Sequence, residues 1–347
     1  MSHRQIHAWN ILDRQPVLAK WEEGLFTEIT PTDEPPAEAK WIGPPLLDIQ
    51  VNGYAGIDFQ QDDLSEADLL HAVEQLGQAC CGQILFTLVT DDWEAMTRRL
   101  ARAKQLRDAH PALGRAIAGW HIEGPFLSAE TGYCGAHPAD KMLRPTPERV
   151  AELRELAGDD PLLLTMAPEV NGGLKGFATA RELGIRVSIG HTNAPEHILR
   201  RVTAAGPAGF THLGNGCPVQ MHRHDNIIQR ALSLHDRLWI CFIPDGVHVP
   251  FFVLKNWLAS IGLERTIFVT DAISAARLGP GRYTLAGWDI LIGDDLVARS
   301  PDATHFVGST VTVPRIKANA YEQLGMSEEE LKRVLDVNPR KAIANKD

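Results

Sequence analysis

The sequence predicts an α/β protein in which eight parallel strands alternate with helices and close as a (β/α)8, TIM-like barrel. Two observations carry this. From residue 46 to residue 270 eight short apolar runs recur, and most of the stretches between them carry apolar residues at helical spacing. Polar and titratable residues then collect where those runs end, which is where a barrel keeps its chemistry. The same rhythm also fits a doubly wound open sheet. No GxGxxG follows the first run, so a dinucleotide-binding version of that sheet has no support.

Residues 1–45 precede the rhythm. They hold short β-like pieces, such as Ile6-His7-Ala8-Trp9, broken by a loop carrying Pro31, Pro35, Pro36, Pro44 and Pro45. This is too short for a domain with its own core. The first barrel strand is Leu46-Leu47-Asp48-Ile49-Gln50-Val51, and a helix over 64–79 follows, with Ser65 as its N-cap. The second strand is 84–89, with a helix near 92–108. The third runs from Ala116 to Glu123, with a helix near 147–157 after it. The fourth is 162–166 and the fifth 186–189, each followed by a helix, near 172–183 and 195–205. The sixth is 208–211, the seventh 239–243 with a helix at 251–260, and the eighth 266–270. Residues 281–300 break the pattern and read as a hairpin of Tyr283-Thr284-Leu285 and Ile290-Leu291-Ile292. Helices near 313–324 and 327–336 come last. The expected division is a catalytic barrel over 46–347 and a small β-rich appendage made by 1–45 with 281–300.

Composition limits the function. The chain has 347 residues, 34 basic and 44 acidic, for a net charge of −10. That argues against nucleic acid or an anionic membrane surface as the main partner. No apolar run of about 18 residues is present, so no transmembrane span is expected. The start, Met1-Ser2-His3-Arg4-Gln5, lacks an apolar signal core. The five cysteines, Cys80, Cys81, Cys134, Cys217 and Cys241, are odd in number, scattered and free of any CxxC pair. They read as reduced thiols in a cytoplasmic protein.

The third strand ends in Trp120-His121-Ile122-Glu123-Gly124-Pro125. Positions i and i+2 share a face of a strand, so His121 and Glu123 project together before Gly124-Pro125 turns the chain. Taken alone, Glu123 reads as a strand-end carboxylate in water. Other ends carry Gln50 and Asn52, Glu169, His191, His212, the segment Asp245-Gly246-Val247-His248, and Asp271. A lone histidine at such a place is usually a hydrogen-bonded structural residue, and an aspartate such as Asp271 suits a helix N-cap. Gathered at one rim, Glu123, His191 and His212 instead make a three-ligand divalent metal site with a position open for water. His121, two residues deeper, then reads as a supporting or packing residue.

An ordered series of motifs resembles a known family. Glu123-Gly124-Pro125-Phe126, Gly190-His191-Thr192-Asn193-Ala194, Thr211-His212-Leu213-Gly214-Asn215, Asp245-Gly246-Val247-His248-Val249 and Val269-Thr270-Asp271-Ala272 are similar to those of the N-acetylglucosamine-6-phosphate deacetylases, of the amidohydrolase superfamily. The likeness runs from about residue 46 to about 342 and includes Asn338-Pro339-Arg340-Lys341-Ala342. It implies an amidohydrolase-type barrel with a reduced β-sandwich appendage. It also implies metal ligands at Glu123, His191 and His212, a catalytic carboxylate at Asp271, and His248 beside the scissile amide. Ala136, His137, Asn215 and Gly216 match sugar contacts, Arg223 the phosphate-binding arginine, and Phe306, Val307 and Gly308 the loop over the sugar.

The reaction implied is hydrolysis of the acetamide of N-acetylglucosamine-6-phosphate to acetate and glucosamine-6-phosphate. The alternative is a deacylase for another N-acyl substrate, an unphosphorylated amino sugar or an N-acyl amino acid. A non-catalytic binding protein on a dead barrel is a third reading, which the retained ligand set speaks against. Related enzymes carry His-x-His at the end of the first strand; Gln50-Val51-Asn52 stands there in this chain. Neither amide is a good divalent ligand, so one metal ion per chain is expected, zinc, with iron(II) the other candidate. The resemblance also implies a homodimer. The loop from Gly214 to His224 departs from the family's usual pattern, where an aromatic precedes the asparagine.

Overall fold

A computed structural model of the chain describes residues 4–10, 14–22, 25–38 and 40–344. Its contacts divide the chain into two units, Met1–Pro45 and Leu46–Asp347. In the smaller unit Arg4–Asn10, Pro16–Glu22, Leu25–Pro31 and Trp41–Ile42 form one sheet in the order third, second, first, fourth. Ala8, Val17, Ala19 and Ile42 make its small apolar cluster.

The larger unit holds the eight parallel strands Leu47–Val51, Gln83–Val89, Ile117–Glu123, Leu162–Met166, Arg186–Ile189, Ala208–Phe210, Leu238–Phe242 and Thr266–Phe268, each paired with the next. Both faces of such a sheet are covered, which is why the runs are apolar throughout rather than alternating. The ends of the sheet meet. Val51 bridges Ala272 in parallel, and the Asn52 N–H donates to the Ala272 carbonyl at 2.7 Å. Asp48 ties the same seam: its Oδ2 accepts from the Thr270 N–H at 3.0 Å and from the Thr270 hydroxyl at 2.5 Å. The barrel expected from the sequence is therefore present and nearly closed.

The helices begin where local chemistry says they should. Ser65 and Asp68 form a reciprocal capping box at the head of Glu66–Gln78. Thr146 caps Pro147–Ala157, with the proline in the first turn where its missing N–H costs nothing. The structure adds two short helices to the expected set. Pro111–Ala116 is capped by the His110 ring, so the third strand starts at Ile117 rather than Ala116. Ile227–Leu232 is capped by Asn226. The final helices widen into π turns, Val313–Asn319 running into Ala320–Leu324 and Glu328–Lys332 into Arg333–Val337, before Asn338–Ile343. The hairpin appears as Gly281–Leu285 and Trp288–Ile292, joined by Ala298–Arg299 in an antiparallel sheet of three strands. This sheet lies in the larger unit and packs Leu285, Ile290, Ile292 and Ala298 with Ile273 and Val307. Among the described residues no helix is long and apolar enough to cross a membrane.

Candidate metal centre and its rim

Glu123 is the last residue of the third strand, paired with Thr165 of the fourth. His191 lies two residues beyond the fifth strand, His212 two beyond the sixth and Asp271 three beyond the eighth. All four are buried. His191, His212 and Asp271 all sit in left-handed backbone, with φ of 49°, 30° and 51°. Non-glycine residues take that conformation at a cost of about 1–3 kcal/mol, and such residues cluster at functional sites. Asp271 heads no helix, so its carboxylate is not an N-cap.

Glu123, His191 and His212 converge. Each offers a ligand atom, and those atoms lie within 4.8 Å of one another. His191 Nδ1 donates to the Tyr133 carbonyl at 3.0 Å, which leaves Nε2 unprotonated in the neutral ring. That Nε2 is buried without a hydrogen-bond partner and faces Glu123 Oε1 at 3.4 Å. Two electron-rich atoms pointed at each other in a buried site call for a cation between them. His212 Nε2 reaches the same Glu123 oxygen at 2.7 Å. The residues present thus fit a divalent ion. Burial opposes the charge on Glu123, yet the His212 and His191 imidazoles hold its carboxyl well below the usual range. Burial would lower His212, but Glu123 outweighs it and raises that imidazole.

The surroundings hold the three groups in place. Gly216 has φ of 60°, and a Cβ there would come within 2.6 Å of His191 Nδ1. Gly124 has φ of 87°, and a Cβ there would collide with Thr90 Oγ1. That hydroxyl contacts the Glu123 carbonyl at 3.3 Å and His137 Nδ1 at 2.9 Å. Glu169 accepts from the Asn193 N–H at 2.7 Å and the Thr192 hydroxyl at 2.5 Å, clamping the turn after His191. Deeper in the barrel, His121 Nε2 meets Thr165 Oγ1 at 2.8 Å, and that hydroxyl meets Thr211 Oγ1 at 2.8 Å. Burial pushes His121 down to about 4, so it is neutral, as a supporting residue should be.

Gln50 and Asn52 turn their amides on the two carboxylates. Gln50 Nε2 donates to Glu123 Oε2 at 3.2 Å, and Asn52 Nδ2 donates to Asp271 Oδ1 at 2.7 Å. Burial, with Glu123 nearby, raises Asp271 to about 6, against the opposing pull of His212 and of the Asn52 hydrogen bond.

The other expected residues fall around this centre in different ways. His137 is buried, its Nε2 3.9 Å from Glu123 Oε2 and its ring stacked edge-on to His191; burial and His191 push it down to about 3. Ala136 is half-buried beside it. His248 Nδ1 meets Asp245 Oδ2 at 2.6 Å, and its ring lies 5.1 Å from that of Phe306. The Ser309 N–H donates to the Asp271 carbonyl at 2.9 Å, which ties the Phe306-Val307-Gly308 loop to the eighth strand end. Asn215 donates to the His212 carbonyl at 3.1 Å. Arg223 is exposed and has no hydrogen bond or ion pair among the described residues. Its neighbour His222 accepts from the Asp225 N–H at 2.9 Å and is engaged within its own loop. Of the residues that orient the site, Asp245 is readable from its i, i+3 spacing to His248. Thr90, the Tyr133 carbonyl and Glu169 as a clamp give no signal, because their partners come from other strands.

A nearly closed parallel barrel with one carboxylate and two imidazoles at its C-terminal rim defines the amidohydrolase fold. No protein-family profile matches the chain. Its homologues and structural neighbours include N-acetylglucosamine-6-phosphate deacetylases and an N-acetylgalactosamine-6-phosphate deacetylase. The chain is 26% identical over 323 residues to the N-acetylgalactosamine-6-phosphate deacetylase of Escherichia coli O157:H7, covering 92% of this chain and 83% of that one. It is 29% identical over 320 residues to the N-acetylglucosamine-6-phosphate deacetylase of Danio rerio, covering 88% and 76%. A structure of a variant of the Mycobacterium smegmatis N-acetyl-D-glucosamine-6-phosphate deacetylase in complex with N-acetyl-D-glucosamine-6-phosphate superposes with a TM-score of 0.82 at 26% identity, covering 99% of this chain and 91% of that one.

Proposed function

We propose that the chain is a metal-dependent deacetylase that hydrolyses N-acetylglucosamine-6-phosphate to glucosamine-6-phosphate and acetate. The observation that carries the reading is the pairing of a cation-seeking cluster, Glu123, His191 and His212, with a separately held carboxylate, Asp271. Glu123, His191 and His212 would hold a divalent ion, which would supply Lewis-acid polarisation of water and of the scissile carbonyl. Asp271 takes the proton from the attacking water and returns it to the leaving amine. Asn52 occupies Asp271 Oδ1, so Oδ2 is the oxygen that carries the proton. His248 stabilises the developing oxyanion, and Asp245 sets its tautomer by accepting from Nδ1.

Ala136, His137, Asn215 and Gly216 are assigned to the sugar, with Phe306, Val307 and Gly308 closing over it and Arg223 taking the phosphate. Relatives named for two 6-phosphorylated N-acetylhexosamines favour a phosphorylated substrate over an unphosphorylated amino sugar or an N-acyl amino acid. The same reading carries a single zinc ion per chain, a homodimer and a cytoplasmic location. The five cysteines, all free, accord with the last of these.

Acetate release should be assayed on N-acetylglucosamine-6-phosphate, N-acetylgalactosamine-6-phosphate and plain N-acetylglucosamine. The expected order puts the phosphorylated glucosamine derivative first, with Arg223→Ala raising KM for phosphorylated sugars alone. Equal turnover of the plain sugar would sink the substrate assignment.

A further inference from the structure

A cavity of 410 Å³ opens at the end of the barrel opposite the metal centre. Arg186 begins the fifth strand, Ala208 begins the sixth and Arg265 immediately precedes the eighth, and all three line it. In a parallel barrel these strand starts are remote from His191, His212 and Asp271, which follow strand ends. Lys341, from the helix Asn338–Ile343, completes the wall.

The charges in this cavity are one-sided. Three cationic side chains line it and, among the described residues, no carboxylate does, in a chain whose net charge is −10. None of the three forms an ion pair among the described residues. Arg186 donates through Nη2 to the Ala344 carbonyl, but its buried Nε has no partner among the described residues. Arg265 lies over the Trp239 ring at 4.8 Å, and its buried Nη1 has no partner among the described residues. Buried donors left unpaired are costly, and more so when charged. An oxyanion supplies the missing acceptors. A phosphate matches three cations better than a carboxylate does, because it brings up to two charges and three acceptor oxygens. Apart from Ser188 the remaining side chains of the wall are apolar, Ile49, Leu163 and Trp239 among them, and the volume lies in the range of small-molecule sites.

We infer that this cavity binds a small organic phosphate monoester, with its phosphate on Arg186, Arg265 and Lys341 and its carbon part against Trp239, Ile49 and Leu163. The site is distinct from the metal rim and does not depend on the reaction proposed there.

The test is calorimetric titration of the metal-loaded chain with phenyl phosphate, which carries no amide. The expected result is binding that Arg265→Gln and Lys341→Gln each weaken about tenfold or more. Lys341 is exposed, so its substitution keeps the test valid should the Arg265 variant fail to fold. Absence of binding up to about 10 mM ligand would overturn the inference. So would weakening by Arg223→Ala alone, which assigns the anion to the rim. Binding seen only after deletion of residues 345–347 would also overturn it, because the cavity would then belong to the chain's own terminus.

Discussion

Asn52 Nδ2 donates to Asp271 Oδ1 at 2.7 Å across the seam where the first and eighth strands meet. The bond favours the ionised carboxylate and fixes which oxygen stays free. In the metal-free site burial pushes Asp271 up to about 6. A cation held beside it lowers that value, so the acid limb of kcat/KM in the loaded enzyme should lie below pH 6. Asn52→Leu removes a donor to the charged form, which raises the carboxyl. Its acid limb should move upward with the alkaline side unchanged. An unmoved limb in rate–pH profiles would remove Asn52 from the account.

Asp271→Asn keeps the size of the side chain but cannot take a proton. Turnover should fall roughly 10²–10⁴-fold, the usual yield of a positioned acid–base group. Metal content by elemental analysis should be unchanged, since Asp271 is outside the Glu123–His191–His212 cluster. Near-normal rates would contradict the assignment.

Gly216→Ala places a methyl carbon 2.6 Å from His191 Nδ1, closer than the two atoms can sit, and so displaces the imidazole. Groups that orient a ligand typically account for about 10–100-fold in metal affinity. Chelator competition should show a loss in that range, and thermal melts should show less stabilisation by added zinc than in the unaltered chain. Unaltered affinity would mean that the ring accommodates the methyl.

Asp48 links stability to pH. Burial raises its carboxyl to about 6, with hydrogen bonds from Thr270 and the Gln50 N–H opposing the rise. The unfolded value is about 3.9. A folded pKa above the unfolded one means that the native state binds the proton more tightly. The contribution is full below about pH 4 and is lost as pH climbs through about 6, by at most about 3 kcal/mol. Asp58, also raised to about 6, adds to the same slope. Urea unfolding of Asp48→Asn should therefore decline less steeply between pH 4 and 6 than the unaltered chain. An identical slope would show that Asp48 does not titrate in that window.

Much of this architecture is legible in the sequence. The eight apolar runs mark the barrel because strands covered on both faces leave no alternation to confuse with other elements. Ser65 and Asp68 announce their helix through a local exchange of hydrogen bonds. Glu123, His191, His212 and Asp271 stand out because each closes a strand or follows shortly after one. What stays hidden depends on distance along the chain. Asp48 meets Thr270 from 222 residues away, and nothing near either residue marks the pair. Gln50 and Asn52 read as poor ligands, but their role as donors to Glu123 and Asp271 needs the barrel to exist first. The short helices at Pro111–Ala116 and Ile227–Leu232 span too few residues to show a period.

A metal titration decides whether the chain is a deacetylase that works with one ion. The chain stripped of metal is loaded with increasing zinc, and acetate release from N-acetylglucosamine-6-phosphate is followed at each step. The rate should rise linearly and level off at one equivalent per chain. A rate that levels off only at two equivalents, or no acetate release at any loading, would contradict it.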